Sequence, residues 1–230
     1  MSHYFITGTD TGVGKTVITT GLLRAFQADG HRAVGMKPVA AGCELRDGVW
    51  RNEDADHLLA ASNVAVNADD INPWRLKAAI APHIAAAQEG VVIDLANIRT
   101  AFAALTERAD TILVEGVGGF VVPLNDAADT ADLARELALP VILVVGLRLG
   151  CINHSLLTAE AIRARGLNLA GWVGNCIDPD MPVREENIAA LDARLAAPCL
   201  GIVPWLGNNA ESAIVATELH VNRLQGRPQP

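Results

Sequence analysis

The sequence predicts an α/β protein with a doubly wound, mainly parallel sheet that is flanked by helices. Two observations indicate this architecture. Short, continuously apolar runs alternate with segments of helical apolar spacing, and continuous apolarity is typical of strands that are covered on both faces. Glycine and polar residues follow these runs directly, at the strand ends where such sheets bind their ligands. The chain has 230 residues and is 50% hydrophobic, enough for one domain with a sizeable core.

The elements follow one another in a regular order along the chain. Strands are predicted at residues 4–6, 33–36, 111–114, 141–145, 169–173 and 201–203. Helices are predicted at residues 17–29, 98–108, 130–139, 152–165 and 185–195, and all but the second have a glycine or proline soon after their end. Residues 42–82 form a long polar insertion between strands, which favours a functional loop. We therefore expect a single domain over residues 1–224 and a polar tail over residues 225–230.

The first strand leads into a glycine-rich segment, residues 8–16, with the sequence GTDTGVGKT. A strand, a loop ending in Gly-Lys-Thr and a helix together predict a phosphate loop like that of P-loop NTPases. Backbone N–H groups would surround the phosphates, Lys15 would reach the β- and γ-phosphates, and the Thr16 hydroxyl would hold Mg²⁺. The spacing is unusual because five residues, not four, separate Gly8 from Gly14, and Thr9 stands where the first glycine is expected. A strand–turn–helix without a ligand is the alternative, but the flanking elements favour a variant phosphate loop.

Lysine is rare in this chain. Of its 18 Lys and Arg residues, only Lys15, Lys37 and Lys77 are lysine. Arginine occupies nearly all the other cationic positions, so a lysine indicates a need for a compact ammonium group. Lys37 directly follows the second predicted strand, at the edge where α/β sheets bind ligands. A functional role is the favoured interpretation of Lys37, and a surface cation is the alternative.

Two acidic positions are candidates for binding the Mg²⁺ of a nucleotide, which prefers hard oxygen ligands. Glu115 ends the strand at residues 111–114, and a carboxylate at that place faces the phosphate loop in phosphate-loop folds. The second candidate lies in an acidic cluster, and the pattern alone does not choose between Glu53, Asp54 and Asp56. The cluster is equally consistent with a solvated helix N-terminus, where acidic residues meet the helix dipole favourably.

Composition excludes several classes of partner. The net charge of −8 argues against binding to nucleic acid or to an anionic membrane surface. The longest apolar run, near residues 141–145, is far too short to span a bilayer. A strand starts almost at the N-terminus, so we expect no signal peptide and a cytoplasmic protein. The four cysteines show no metal-binding spacing and are expected to be free thiols.

Together, the motifs resemble those of the ATP-dependent dethiobiotin synthetase family. The similar segments are GTDTGVGKT, KPVAAG (residues 37–42), NEDA (52–55), residues 82–90, VEGVGG (114–119), PVILVVG (140–146), LGCINH (149–154), GWVGN (171–175) and PWL (204–206). They span almost the whole chain in the order of the family. The five-residue spacing of the phosphate loop is also typical of that family, so the irregularity supports the resemblance.

The resemblance implies a reaction in biotin biosynthesis with ATP, Mg²⁺ and two small substrates, 7,8-diaminononanoate and CO₂ or bicarbonate. The diamine captures CO₂ as a carbamate, the carbamate attacks the γ-phosphate, and the second amine closes a cyclic urea, leaving ADP and phosphate. Carbamate and phosphate are both anionic, so positioning and positive charge are required more than a protein nucleophile. The resemblance also implies a homodimer with shared sites.

Family roles carry over by position. The resemblance implies that Lys37, Lys15 and Thr11 act on the carbamate and phosphate, and that Thr16, Asp54 and Glu115 bind Mg²⁺. The implied nucleotide-binding residues are Gly12, Val13, Gly14, Lys15, Thr16, Val17, Asp54, Glu115, Gly116, Val117, Gly118, Asn175, Cys176, Pro204, Trp205 and Leu206, with Asn175 reading adenine. The implied substrate-binding residues are Ala41 and, across the dimer interface, Gly150, Cys151, Ile152 and Asn153. Without the resemblance, residues 150–153 would be interpreted only as the start of a helix.

The chain departs from the family at three positions. Many members have serine at position 41, and Ala41 cannot donate the hydroxyl hydrogen bond. Gly12 replaces a glutamate that some relatives have, and Cys176 replaces a frequent aspartate near adenine. Two other classes of protein are alternatives. A switch ATPase of the partition or nitrogenase-iron-protein type usually has an extra lysine early in its phosphate loop, and residues 8–14 contain none. A cobyrinate-type synthetase usually carries a glutaminase domain, for which 230 residues leave no room.

Overall fold

The computed structural model describes residues 2–207 and 212–224. Its strands are β1 (Ser2–Gly8), β2 (Ala33–Met36), β3 (Val39–Ala41), β4 (Glu44–Arg46), β5 (Val49–Arg51), β6 (Trp74–Leu76), β7 (Thr111–Glu115), β8 (Val141–Leu147), β9 (Leu169–Cys176) and β10 (Cys199–Val203). Its helices are α1 (Lys15–Ala28), α2 (Glu53–Ala61), α3 (Ala68–Ile71), α4 (Pro82–Gln88), α5 (Leu95–Thr106), α6 (Thr130–Glu136), α7 (Cys151–Ala164), α8 (Arg184–Leu195) and α9 (Ser212–Thr217). A short 3₁₀ turn follows at Val221–Arg223.

The central element is a six-stranded sheet with the strand order β10-β9-β8-β1-β7-β2. All neighbouring pairs in it are parallel. From β1 the chain moves to one side for β2 and β7, and later to the other side for β8, β9 and β10. The direction of the strand order therefore reverses beside β1. Sheets of this kind bind ligands in the crevice at the carboxyl ends of the strands at such a reversal.

Apolar side chains cover both faces of the sheet. On β1, Tyr4 and Ile6 belong to one buried cluster with Leu22 of α1, whereas Phe5 belongs to the other cluster with Ile98 of α5. Full burial of a side chain of this size contributes about 1.5–3 kcal/mol. Helices on both faces confirm the predicted doubly wound α/β architecture. No helix in the described ranges is long and apolar enough to cross a membrane.

The insertion after β2 contains small elements that the sequence analysis did not resolve. β3 pairs with β6 in a two-stranded parallel sheet, and β4 pairs with β5 in a hairpin. Asp47 and Gly48 turn this hairpin with φ angles of 52° and 79°. An Asp-Gly pair between two short strands is typical of a hairpin, so the sequence does indicate the β4–β5 hairpin. α2 follows with Asn52 as its cap, accepting a hydrogen bond from the backbone of Ala55.

The predicted main strands and helices are all present, with ends that differ by a few residues. β9, for example, continues to Cys176, so the strand itself carries Asn175. The single domain over residues 1–224 stays a prediction. The predicted tail, residues 225–230, lies outside the described residues.

Candidate active site

A cleft of about 1330 Å³ opens at the carboxyl ends of β1, β2 and β7. Its lining contains most of the residues that the motifs singled out. They are Thr11, Gly12, Gly14, Lys15, Thr16, Val17, Lys37, Ala41, Asp54, Glu115, Val117 and Gly118. Three segments far apart in sequence thus meet because parallel strands present their carboxyl ends at one edge.

The phosphate loop (residues 8–16) has a backbone shape that requires glycine. Gly12 and Gly14 have φ angles of 75° and 85°, in the left-handed region. A Cβ atom on Gly14 would also lie 2.2 Å from Nδ2 of Asn175. That same Nδ2 donates a hydrogen bond of 2.9 Å to the carbonyl oxygen of Val13. Asn175 therefore supports the loop from β9, and α1 begins directly behind it with its N-terminal N–H groups available for phosphate.

Lys15 is a buried cation at the start of α1. Its Nζ donates a hydrogen bond of 3.0 Å to the carbonyl oxygen of Asp10, within the same loop. Burial, together with the nearby charge of Lys37, lowers the pKa of Lys15 to about 8. The side chain is consequently still mostly protonated at neutral pH, and phosphate oxygens are the natural partners for this charge.

Lys37 lies at the centre of an ion cluster. Its Nζ donates to Oε1 of Glu115 at 2.7 Å, to Oδ2 of Asp54 at 3.0 Å and to the carbonyl oxygen of Gly116 at 3.3 Å. Lys37 and Glu115 are almost fully buried. Burial alone would lower the pKa of Lys37, but the two carboxylates outweigh it and raise that pKa. Burial would likewise raise the pKa of Asp54, but the charge of Lys37 outweighs it and lowers that pKa.

The residues around Glu115 fit a nucleotide-bound Mg²⁺. The Thr16 hydroxyl donates to Oε1 of Glu115 at 2.8 Å, and Oε2 is buried without a hydrogen-bond partner among the residues that the structure describes. Asp54 adds a carboxylate that is 44% exposed to the cleft side. Among the described residues there is no group of three or more His, Cys, Asp or Glu side chains suited to a metal ion. With two carboxylates and a hydroxyl as ligands, the remaining coordination positions of Mg²⁺ would be left to phosphate and water, which is the ligand set that Mg²⁺ prefers.

An apolar wall lines the other side of the cleft. It consists of Ala40, Ala41, Ala79, Ile80, Ala81, Pro82, Val117 and Val122. Ala41 lies in this wall, consistent with its expected place near the substrate. The sequence analysis did not identify residues 79–81 as cleft residues, because their position depends on the pairing of β3 with β6. Such a wall suits an aliphatic chain.

Several predicted site residues lie elsewhere. Gly150, Cys151, Ile152 and Asn153 form the start of α7 and are not among the residues that line this cleft. Asn175, Cys176, Pro204, Trp205 and Leu206 do not line it either. The Cys176 thiol instead lies 3.9 Å from Nη1 of Arg184, and Trp205 is half exposed after β10. Gly207 and Ser212 do line the cleft, on either side of residues 208–211, which lie outside the described residues.

Comparison with known structures shows the fold. The MinD cell division protein of Aquifex aeolicus matches with a TM-score of 0.56 and 17% identity, over 96% of this chain and 89% of that one. A ParA family ATPase of Chlorobium tepidum matches with a TM-score of 0.57 and 9% identity, over 94% of this chain and 90% of that one. At such identities the likeness concerns architecture alone, and it confirms the predicted P-loop NTPase-like fold.

Comparison of sequences is more specific. A family model described as an AAA domain matches residues 2–212. The ATP-dependent dethiobiotin synthetase BioD of Aromatoleum aromaticum is 58% identical over 218 residues, covering 95% of this chain and 96% of that protein. The protein of the same name from Nitrosospira multiformis is 57% identical over 221 residues, covering 96% of each. With the phosphate loop, the Lys37 cluster and the predicted family motifs all present, the chain belongs to the ATP-dependent dethiobiotin synthetase family.

Proposed function

We propose that the protein is an ATP-dependent ligase that converts 7,8-diaminononanoate and CO₂ to dethiobiotin in biotin biosynthesis. The single observation that carries this proposal is the buried Lys37 between Asp54 and Glu115, directly beside a phosphate loop. This arrangement places a compact cation where a second anionic group could meet the γ-phosphate. The names of relatives at 55–58% identity support the same activity.

The chemistry needs no protein nucleophile. An amine nitrogen of the diamine bonds to the carbon of CO₂ and forms a carbamate after losing a proton. A carbamate oxygen then bonds to the γ-phosphorus, and the bond to the ADP oxygen breaks. The second amine attacks the carbamate carbon, phosphate leaves, and the cyclic urea closes. Catalysis of these steps consists mainly of bringing two anions together and stabilising their charge.

The chain's own residues would supply most of that charge. Lys15 would neutralise the β- and γ-phosphates, because it begins α1 under the phosphate loop. Lys37 would turn toward the carbamate, and the Thr11 hydroxyl would donate to it. Mg²⁺ held by Thr16, Asp54 and Glu115 would offset the remaining phosphate charge when it is bound. The alkyl chain of the diamine would pack against the apolar wall.

We further propose a cytoplasmic homodimer, in which residues 150–153 of one protomer bind the substrate carboxylate of the other. Two features support this role: these residues form a helix N-terminus, which attracts anions, and they do not line the cleft of their own protomer. Light scattering tests the dimer. A fully active species with the mass of one 24.2 kDa chain would overturn the shared site.

The experiment that tests the activity is phosphate release from ATP with and without each substrate. We expect release to require both the diamine and bicarbonate, with dethiobiotin formed in equal amount. Equal hydrolysis of ATP without the diamine would overturn the ligase and favour a switch ATPase that acts on partner proteins. Omission of bicarbonate is the matched control, because it leaves the diamine and the nucleotide in place.

A further inference from the structure

Contacts from the neighbouring strands β8 and β9 hold the phosphate loop. The backbone N–H of Thr9 donates to the carbonyl oxygen of Val144 in β8 at 3.0 Å, and Asn175 in β9 holds Val13. A further contact comes from Arg148, in the connection between β8 and α7. Its Nη2 donates to Oδ2 of Asp10 at 2.6 Å. This is a side-chain ion pair that reaches the first half of the loop.

Asp10 connects this ion pair to two residues with proposed roles in the reaction. Its Oδ1 accepts the backbone N–H of Thr11 at 2.7 Å, and its carbonyl oxygen accepts Nζ of Lys15 at 3.0 Å. Thr11 faces the loop after β7, since a Cβ atom on Gly118 would lie 3.7 Å from the Thr11 hydroxyl oxygen. The orientation of Asp10 therefore sets where Thr11 lies across the cleft and where the Lys15 ammonium rests.

We propose that Arg148 is a positioning residue for the reaction. By fixing the carboxylate of Asp10, it holds Thr11 and the first half of the phosphate loop in the geometry that binds the triphosphate and the carbamate. The expected effect of Arg148 on turnover rests on the proposed function. Its expected effect on nucleotide binding does not depend on that function. Arg148 would act through Asp10 and not by touching either substrate.

The ion pair is suited to positioning more than to stability. The side chains of Arg148 and Asp10 are 43% and 48% exposed. Exposed ion pairs contribute little to the stability of a fold. In contrast, a displacement of reacting groups by about 1 Å can slow a reaction by about a hundredfold. Loss of Arg148 should therefore separate the two effects, leaving the folded state stable while weakening binding and catalysis.

The first test compares Arg148→Gln with Arg51→Gln. Arg51 is a matched control, because its ion pair with Asp56 has a similar length of 2.7 Å and a similarly exposed arginine, but lies outside the cleft. For Arg148→Gln we expect kcat to fall about tenfold or more and the affinity for the non-hydrolysable analogue AMP-PNP to weaken severalfold. The melting temperature should match that of Arg51→Gln, and Arg148→Lys should recover part of both losses. Normal kcat and normal AMP-PNP affinity in Arg148→Gln would overturn the proposal, as would a loss that only parallels a lower melting temperature.

The second test asks whether Arg148 acts through Asp10. Asp10→Asn keeps the acceptor for the Thr11 N–H but removes the charge that Arg148 holds. If the proposal is correct, Arg148→Gln adds no further loss in the Asp10→Asn background, because the two residues form one unit. Fully additive losses would show that Arg148 acts elsewhere and would overturn the proposal. If the unaltered protein fails to form dethiobiotin, the proposed function fails, while AMP-PNP binding by the same variants still decides the role of Arg148.

Discussion

Replacement of Lys37 by methionine removes the cation that lies between the carboxylates of Asp54 and Glu115. In the metal-free protein, the change leaves Glu115 in a site where it is only 1% exposed. Glu115 would keep the hydrogen bond from Thr16, but its other oxygen already has no hydrogen-bond partner in the described part of the chain. Removing one partner of a buried pair costs about 3–5 kcal/mol, and the retained hydrogen bond favours the lower end. Asp54 adds little, because its side chain is 44% exposed and solvent screens its charge.

The assay is thermal unfolding with and without millimolar Mg²⁺. For a domain of this size, a loss of about 3 kcal/mol corresponds to a decrease in melting temperature of roughly 6–12 °C. Mg²⁺ should then stabilise Lys37→Met more than the unaltered protein, because the ion no longer competes with an ammonium group for the carboxylates. Lys77→Met is the matched control: Lys77 is exposed, and its Nζ lies 5.2 Å from the centre of the Trp50 ring. A melting temperature for Lys37→Met equal to that of this control, or equal stabilisation of both proteins by Mg²⁺, would refute the reasoning.

Three further outcomes are expected. Lys37→Ala should abolish dethiobiotin formation while AMP-PNP still binds in a titration, since we propose that the lysine acts on the carbamate and not on the phosphate loop; near-normal turnover would remove Lys37 from the mechanism. Gly14→Ala should lose nucleotide binding, because the new Cβ would lie 2.2 Å from Nδ2 of Asn175 and φ at this position is 85°. The control is Gly12→Ala, which should lose less binding, because the space around its Cβ is open although φ is 75°. Ala41→Ser should lower KM for the diamine about fivefold, as one added hydrogen bond of about 1 kcal/mol allows; an unchanged KM would show that the serine contact is replaced by something else in this cleft.

The main strands could be predicted because a strand buried on both faces is continuously apolar, and β1, β7 and β8 all have this character. The phosphate loop was recognisable because its glycines, Lys15 and Thr16 all lie within the single short segment of residues 8–16. β3 and β6 have three residues each, too few for a periodic pattern. Their pairing brings residues 79–81 to the cleft, so that part of the apolar wall was not predicted.

Contacts between distant residues are the part of the site that sequence could not supply. The rule that parallel strands bind ligands at their carboxyl ends predicted that Lys37 and Glu115 would be close. It did not predict that Lys37 would bond to both candidate metal ligands. The support that Asn175 gives to Val13 joins residues 162 positions apart, and no local pattern encodes it. The family resemblance assigned Asn175 only to the adenine base of the nucleotide.

The position of β1 in the middle of the sheet has a consequence for how the protein folds during synthesis. Both neighbours of β1 come from later in the chain: β7 at Thr111–Glu115 and β8 at Val141–Leu147. Pairing of β1 therefore has to wait until β7, about a hundred residues further along the chain, has left the ribosome. Such long-range pairing is slow, and unpaired apolar strands are prone to aggregate. The nucleotide-binding motif is thus translated before β7, β8 and β9, but it takes its final shape only when β9 delivers Asn175.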